Sequence, residues 1–300
     1  MSNKSILYVP GKNPKPPATQ HHCMLLKTML EGVRRADLEA AKSMERNHEL
    51  LKLIAWNSLY YYGEKDTSRD LPWIDELLNK HGPSQQDIDE ATHWHRTLDR
   101  MLYNIADYFP FIINFLPKAL RATVIETNRY FFNHNNIACE IRELLKAQLR
   151  PLLANNDRVL LIGHSLGSVI AYDTLWELSH EEQLDGKVDL FLTIGSPLGM
   201  NFVQHRLAGH NEKNAKRYPA CIRRWANVSS VGDITALDRV FKDDFGDMLK
   251  YGLIESIEDH CEGIFNYFHD ENGLNCHRSY GYLVNPAVGK VIADWWSGID

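Results

Sequence analysis

The sequence predicts an α/β protein built on a mostly parallel, doubly wound sheet, and three observations carry that prediction. Short, largely apolar runs occur at residues 6–9, 159–162 and 188–194, the pattern of strands buried on both faces. Segments with helical periodicity separate them, which is the alternation that parallel α/β layers require. Several of the runs stop in glycine-bearing turns, at Pro10-Gly11, Gly163, Gly195-Ser196-Pro197 and Gly232, where a strand has to hand over to its crossover.

In chain order, residues 5–9 read as a strand that ends in Pro10-Gly11-Lys12-Asn13-Pro14, and residues 19–36 as a helix. Residues 51–56 read as a second strand opening into Asn57-Ser58-Leu59-Tyr60-Tyr61-Tyr62-Gly63. Trp56 and the three tyrosines suit either a pocket rim or core filling. From Pro83 to Leu153 the strand pattern stops. Residues 87–107 form one amphipathic helical pattern, with Ile88, Ala91, Leu98, Met101 and Leu102 at core-like spacing, and residues 121–132 and 137–149 form two more. Between the first two lies the proline-punctuated apolar stretch 108–117. Beyond the insertion come a strand at 159–162, a helix at 168–178, strands at 188–194 and 222–231, and a last helix at 286–296. No internal repeat or low-complexity linker interrupts the chain, so residues 1–300 are expected to form a single domain with a helical insertion at 83–153.

Composition sets the outer bounds. Apolar residues are 44% and charged residues 24% of the 300, values of a soluble globular protein. A formal net charge of −6 offers no electrostatic footprint for nucleic acid or an anionic membrane. The apolar stretch from Ile6 to Val9 is too short for a secretory signal core, and no run is long enough to cross a bilayer. Five scattered cysteines, an odd number, favour a reducing compartment over a disulfide framework, so the cytoplasm is the expected location.

The most informative segment is Arg158 to Ala171. An apolar run, Val159 to Ile162, ends in Gly163-His164-Ser165-Leu166-Gly167, and a helix-compatible segment follows at once. Strand, sharp turn and helix with serine on the turn form the G-x-S-x-G nucleophile elbow. A nucleophile held in a strained turn needs small neighbours two residues away on each side, which Gly163 and Gly167 provide. The helix that starts behind Ser165 aims free N–H groups and a positive dipole end at a reacting carbonyl oxygen. His164 is expected to be a packing and hydrogen-bonding neighbour, with its side chain directed away from that of Ser165.

A serine nucleophile needs a base, and the base an orienting acid. In a parallel sheet, functional groups gather at the carboxyl ends of strands. Asp233 follows the strand at 222–231 and is the candidate acid, with Asp238, Asp243 and Asp244 as rivals. His277 precedes the last helix and is the candidate base, with His269 and His260 as competitors. The order Ser165, Asp233, His277 is that of one known triad class.

These residues resemble the α/β-hydrolase superfamily. Gly-His-Ser-Leu-Gly is similar to the elbow of lipases, esterases and thioesterases, and Gly195-Ser196-Pro197-Leu198-Gly199 resembles a segment that many lipase-like members carry after the next strand. The stretch from Trp225 to Asp233 resembles the acid-bearing strand. The resemblance spans residues 5–56 and 157–300 and covers the insertion poorly. It implies an α/β-hydrolase fold in which the insertion acts as a cap, stretch 108–116 lining an acyl pocket or touching lipid; ordinary helix packing is the preferred alternative for that stretch. It implies an oxyanion hole of backbone N–H groups from Leu166 and from Gly11 or Lys12, with Asn13 a further candidate. Pro10-Gly11 here replaces the His-Gly common in the family, and Lys12 and Asn13 are candidates to contact substrate.

The implied chemistry is hydrolysis of a carboxylic ester or thioester through an acyl-enzyme on Ser165, with a small-molecule or lipid-like substrate and no cofactor. No metal site is expected. His260-Cys261, His269 and Cys276-His277 lack paired ligand spacing, His93-Trp94-His95 sits on helix faces that diverge, and Asp243-Asp244-Phe245-Gly246-Asp247 reads as a solvated acidic loop. A non-catalytic binding module on the same fold, and an amidase or peptidase using the same triad, remain the alternatives.

Overall fold

The computed structural model describes residues 3–47, 50–66, 68, 70–93, 127–236 and 238–299. Strands β1 (Lys4–Val9), β2 (Leu51–Leu53), β3 (Arg158–His164), β4 (Val188–Ile194), β5 (Ile222–Val228) and β6 (Ser256–His260) form one sheet in the order β2-β1-β3-β4-β5-β6. Every neighbouring pair is parallel. The predicted doubly wound parallel sheet is therefore present, and it is consistent with an α/β-hydrolase fold.

The continuous apolar runs are explained by burial on two faces. Side chains alternate across a strand, so Leu7, Val9, Val159, Leu161, Phe191 and Trp225 enter one half of the core. Ile6, Tyr8, Leu160, Ile162, Leu192 and Ala226 enter the other. Helices α1 (Ala18–Ala36), α2 (Ile137–Ala154), α3 (Leu166–His180) and α4 (Pro286–Ser297) cover these faces. Ile141 and Leu145 of α2 join Val169 and Leu175 of α3 in the first half. Met29 and Val33 of α1 meet Val288 and Ile292 of α4 in the second.

From β1 the chain turns outward to β2 and then returns to place β3 on the opposite side of β1. The strand order reverses there, and the crevice at the carboxyl ends of β1 and β3 is the expected ligand position in such a sheet. Register puts Val9 beside Gly163, so the turn after β1 begins next to the turn that carries Ser165.

Several boundaries differ from the sequence reading. The second strand ends at Leu53, and residues Asn57–Tyr60 form a helical turn instead. The strand predicted to 231 ends at Val228. Of the helix expected over 87–107, the described part is Gln85–Thr92, opened by a Ser84–Asp87 capping box, and His93 leaves helical geometry with φ −57° and ψ 143°; 94–107 lie outside the described residues. So does the apolar stretch 108–117. Of the helix expected at 121–132, the described part is helical over 127–131. The third helix of the insertion runs on to Ala154, through Pro151. The acidic stretch 243–247 lies on two short helices, Phe241–Phe245 and Asp247–Lys250, because Phe241, Phe245 and Met248 are buried and require an inward face. Trp56 and Tyr60 are core residues, whereas Tyr62 is fully exposed.

Candidate active site

Ser165 occupies the bend between β3 and α3 with φ 53° and ψ −129°, a region that costs a non-glycine residue of order 1–3 kcal/mol. Local bonds hold it there. Its N–H donates to Ile194 O (3.2 Å), and its carbonyl accepts from the Ser168 N–H (2.9 Å) and the Ser168 hydroxyl (2.5 Å). Ser168 Oγ also lies 2.6 Å from Ser196 Oγ, which ties the elbow to the turn after β4. The two flanking glycines are required by close approach. A Cβ on Gly163 would stand 2.6 Å from Ser168 Cα, and one on Gly167 would strike the carbonyls of Val9 and Pro10.

The structure brings Ser165, His277 and Asp233 together although they are distant in sequence. Ser165 Oγ is 2.9 Å from His277 Nε2, and His277 Nδ1 is 2.8 Å from Asp233 Oδ2. Asp233 is fully buried while the His277 side chain keeps about a quarter of its surface exposed. The carboxylate is saturated with donors. Tyr282 Oη donates to Oδ2 (2.6 Å), and the Thr235 N–H (2.9 Å) and hydroxyl (2.8 Å) donate to Oδ1. Burial alone would raise the Asp233 pKa. The charge and hydrogen bond of His277, with the bonds from Tyr282 and Thr235, outweigh it and hold the carboxyl well below the usual range.

Gly195 makes room for this relay. Its N–H continues the ladder to Val228 O (3.0 Å), after which a φ of +53° turns the chain away. The space where its Cβ would stand is 2.9 Å from Asp233 Oδ2 and 3.2 Å from His277 Nδ1.

His164 is buried beside the relay, and its Nε2 lies 2.9 Å from the carbonyl oxygen of His277, so the protonated nitrogen donates there. Its ring is tilted by 34° against that of His277, with centroids 4.8 Å apart. Burial first, and then the neighbouring His277, push the His164 pKa well below its ordinary value, so the ring is neutral at pH 7.

The turn after β1 crosses the elbow. A Cβ on Gly11 would stand 2.9 Å from Ser165 Cβ, so this backbone runs directly against the candidate nucleophile. Among the described residues, no bond accepts the N–H of Gly11 or of Leu166. Lys12 is anchored through its carbonyl, which accepts from Lys15 Nζ (2.8 Å).

The rivals lie elsewhere. His269 is paired to Asp87 (2.6 Å), and His260 sits at the end of the edge strand β6. Asp238 packs against Gly199, and Asp243 and Asp244 lie on the Phe241–Phe245 helix. Thr235, Tyr282 and Asn57 were not singled out by sequence. Only Thr235, two residues past Asp233 and bonded to its Oδ1 through both its N–H and its hydroxyl, carries a local signal, that of an Asx turn. Among the described residues no group of three or more His, Cys, Asp or Glu side chains has metal-holding geometry, and no helix is long and apolar enough to cross a membrane. All five cysteines are free thiols.

No curated protein and no solved structure matches the chain significantly. One family model does match, over residues 128–216. The matched stretch is under a third of the chain. It begins inside the insertion, where the resemblance was expected to fade, runs through β3, Ser165, α3 and β4, and stops before Asp233 and His277. Over that stretch the chain is similar to the family described as lecithin:cholesterol acyltransferase.

Proposed function

We propose that the protein is a serine hydrolase that cleaves a carboxylic ester through an acyl-enzyme on Ser165. The observation that carries this reading is the continuous path from Ser165 Oγ to His277 Nε2 and from His277 Nδ1 to Asp233 Oδ2, at 2.9 and 2.8 Å, ending on a strained elbow. His277 takes the serine proton as Oγ attacks the ester carbonyl. Asp233 holds the imidazole in the tautomer that leaves Nε2 free to accept, and stabilises the imidazolium that forms. The tetrahedral oxyanion is received by backbone N–H groups of Leu166 and of Gly11 or Lys12, at about 3 kcal/mol per donor. The imidazolium then protonates the leaving alcohol, and a water deprotonated by the same histidine releases the acid and regenerates Ser165.

The match to a family named for acyl transfer favours a second reading of the deacylation step, in which an alcohol replaces water and a new ester is formed. A lipid-like ester fits either reading. Both are tested on p-nitrophenyl esters of increasing chain length, with and without an added long-chain alcohol, comparing the native protein with Ser165→Ala. Hydrolysis that disappears in the variant supports the proposal, and ester formation with the alcohol identifies the transferase. Hydrolysis unchanged by the substitution overturns it.

A further inference from the structure

The turn Pro10-Gly11-Lys12-Asn13 is held from behind by three side chains. Trp56 Nε1 donates to Pro10 O (2.8 Å), Asn57 Nδ2 donates to both Gly11 O (2.9 Å) and Asn13 O (3.0 Å), and Lys15 Nζ donates to Lys12 O (2.8 Å). Four successive carbonyls are thus engaged. In a planar trans peptide the C=O of one residue and the N–H of the next point in opposite directions. Fixing the carbonyls of Pro10, Gly11 and Lys12 therefore fixes the directions of the N–H groups of Gly11, Lys12 and Asn13. Gly11 itself abuts Ser165 Cβ.

Asn57 is the centre of this clamp. Both of its amide hydrogens are spent on turn carbonyls, while its Oδ1 is buried with no donor among the described residues. An amide flip would set that oxygen against two carbonyl oxygens, so the orientation is fixed by its acceptors. A buried unpaired acceptor is costly. A residue kept for packing alone would be better apolar, and the arrangement makes sense if the two donated bonds serve the turn.

We propose that Asn57, supported by Trp56 and Lys15, is a positioning residue for the oxyanion turn: it does not touch substrate, but orients the N–H groups of Gly11 and Lys12 that would receive the oxyanion. The inference rests on the hydrolase reading above.

The test compares an ester with its thionoester, in which C=S replaces C=O and hydrogen-bond donors stabilise the developing charge poorly. Removing one oxyanion donor costs about 100- to 1,000-fold in kcat, and a donor left loose should cost about tenfold to 100-fold. Asn57→Ala is expected to lower kcat for the ester by that amount with KM little changed. The ester-to-thionoester rate ratio should fall about tenfold, because the thionoester has less stabilisation to lose. Lys15→Met, at a partly exposed position, releases only the Lys12 carbonyl and is expected to shift the ratio in the same direction by a smaller factor. It serves as the test if Asn57→Ala does not fold. Equal losses on both substrates, or an unchanged ratio, overturn the inference and leave the hydrolase reading standing. A native protein that turns over neither substrate, with Ser165 unlabelled by a fluorophosphonate, overturns the hydrolase reading and this inference with it.

Discussion

Replacing Gly195 with alanine adds one methyl group and removes no chemical group from the proposed relay. Alanine at a φ of +53° costs about 1 kcal/mol in backbone strain. The new Cβ would stand 2.9 Å from Asp233 Oδ2, 3.0 Å from Tyr282 Cε2 and 3.2 Å from His277 Nδ1. Ordinary contact begins near 3.4 Å, so the deficits are about 0.5, 0.4 and 0.2 Å. Asp233 and Tyr282 are fully buried and hydrogen-bonded to each other, and neither can yield cheaply. The exposed side of the relay is His277, so the imidazole should move, lengthening its bond to Asp233 or to Ser165. A misplacement of about 1 Å costs roughly 100-fold, so half that should lower kcat by roughly tenfold to 30-fold. The assay is steady-state hydrolysis of a p-nitrophenyl ester, with unfolding followed in parallel. The expected result is that drop in kcat with a stability loss of about 1–3 kcal/mol. Native kcat in a folded Gly195→Ala protein would refute the assignment of this carboxylate and imidazole to the reaction.

Tyr282→Phe removes the hydroxyl that donates to Asp233 and accepts from the Ser230 N–H (2.9 Å), leaving a buried donor unpaired. A stability loss of about 2–4 kcal/mol is expected in denaturant unfolding, and an unchanged midpoint would contradict it. Asp173 on α3 is buried, accepting from Tyr130 Oη (2.9 Å) and the Ala208 N–H (2.8 Å), and burial pushes its pKa up to about 6. The folded state then holds a proton that the unfolded chain has released between about pH 4 and 6, so this group makes stability fall as pH rises through that window, by about 3 kcal/mol at most. Asp173→Asn should flatten that part of the profile, and the same slope in the variant would contradict the account.

The legible parts of the fold were those whose reason is local. Strands β1, β3 and β4 declare themselves because both faces are buried and their centres are apolar, at residues 6–9, 159–162 and 190–192. Strand β6 was missed because it is an edge strand in which only Ile257 is buried among Ser256, Glu258, Asp259 and His260. The paired segments His269–Asp270 and Gly273–Leu274 are two residues each, too short for any periodicity. The helix end at Thr92, capped by His93, carries neither glycine nor proline, so nothing local announces it. In the candidate site, Ser165 is legible from its own turn, and the residues now found beside it, His277 and Asp233, follow from strand ends and chain order. Thr235 carries only the local turn signal beside Asp233, and Tyr282 and Asn57 were not legible. The contacts of Tyr282 and Asn57 exist only once β1, β5 and the helix after His277 are packed together, and no spacing rule links Asn57 to the carbonyls of Gly11 and Asn13.

The central claim is that Ser165 is a nucleophile activated by His277. Its most direct test is labelling of the full chain with a fluorophosphonate, locating the adduct by peptide mass spectrometry, in the native protein and in His277→Gln. The account predicts one adduct, on Ser165, formed rapidly in the native protein and slowed by about 1,000-fold or more in the variant. A folded native protein that takes no label, or takes it on another residue, would contradict it.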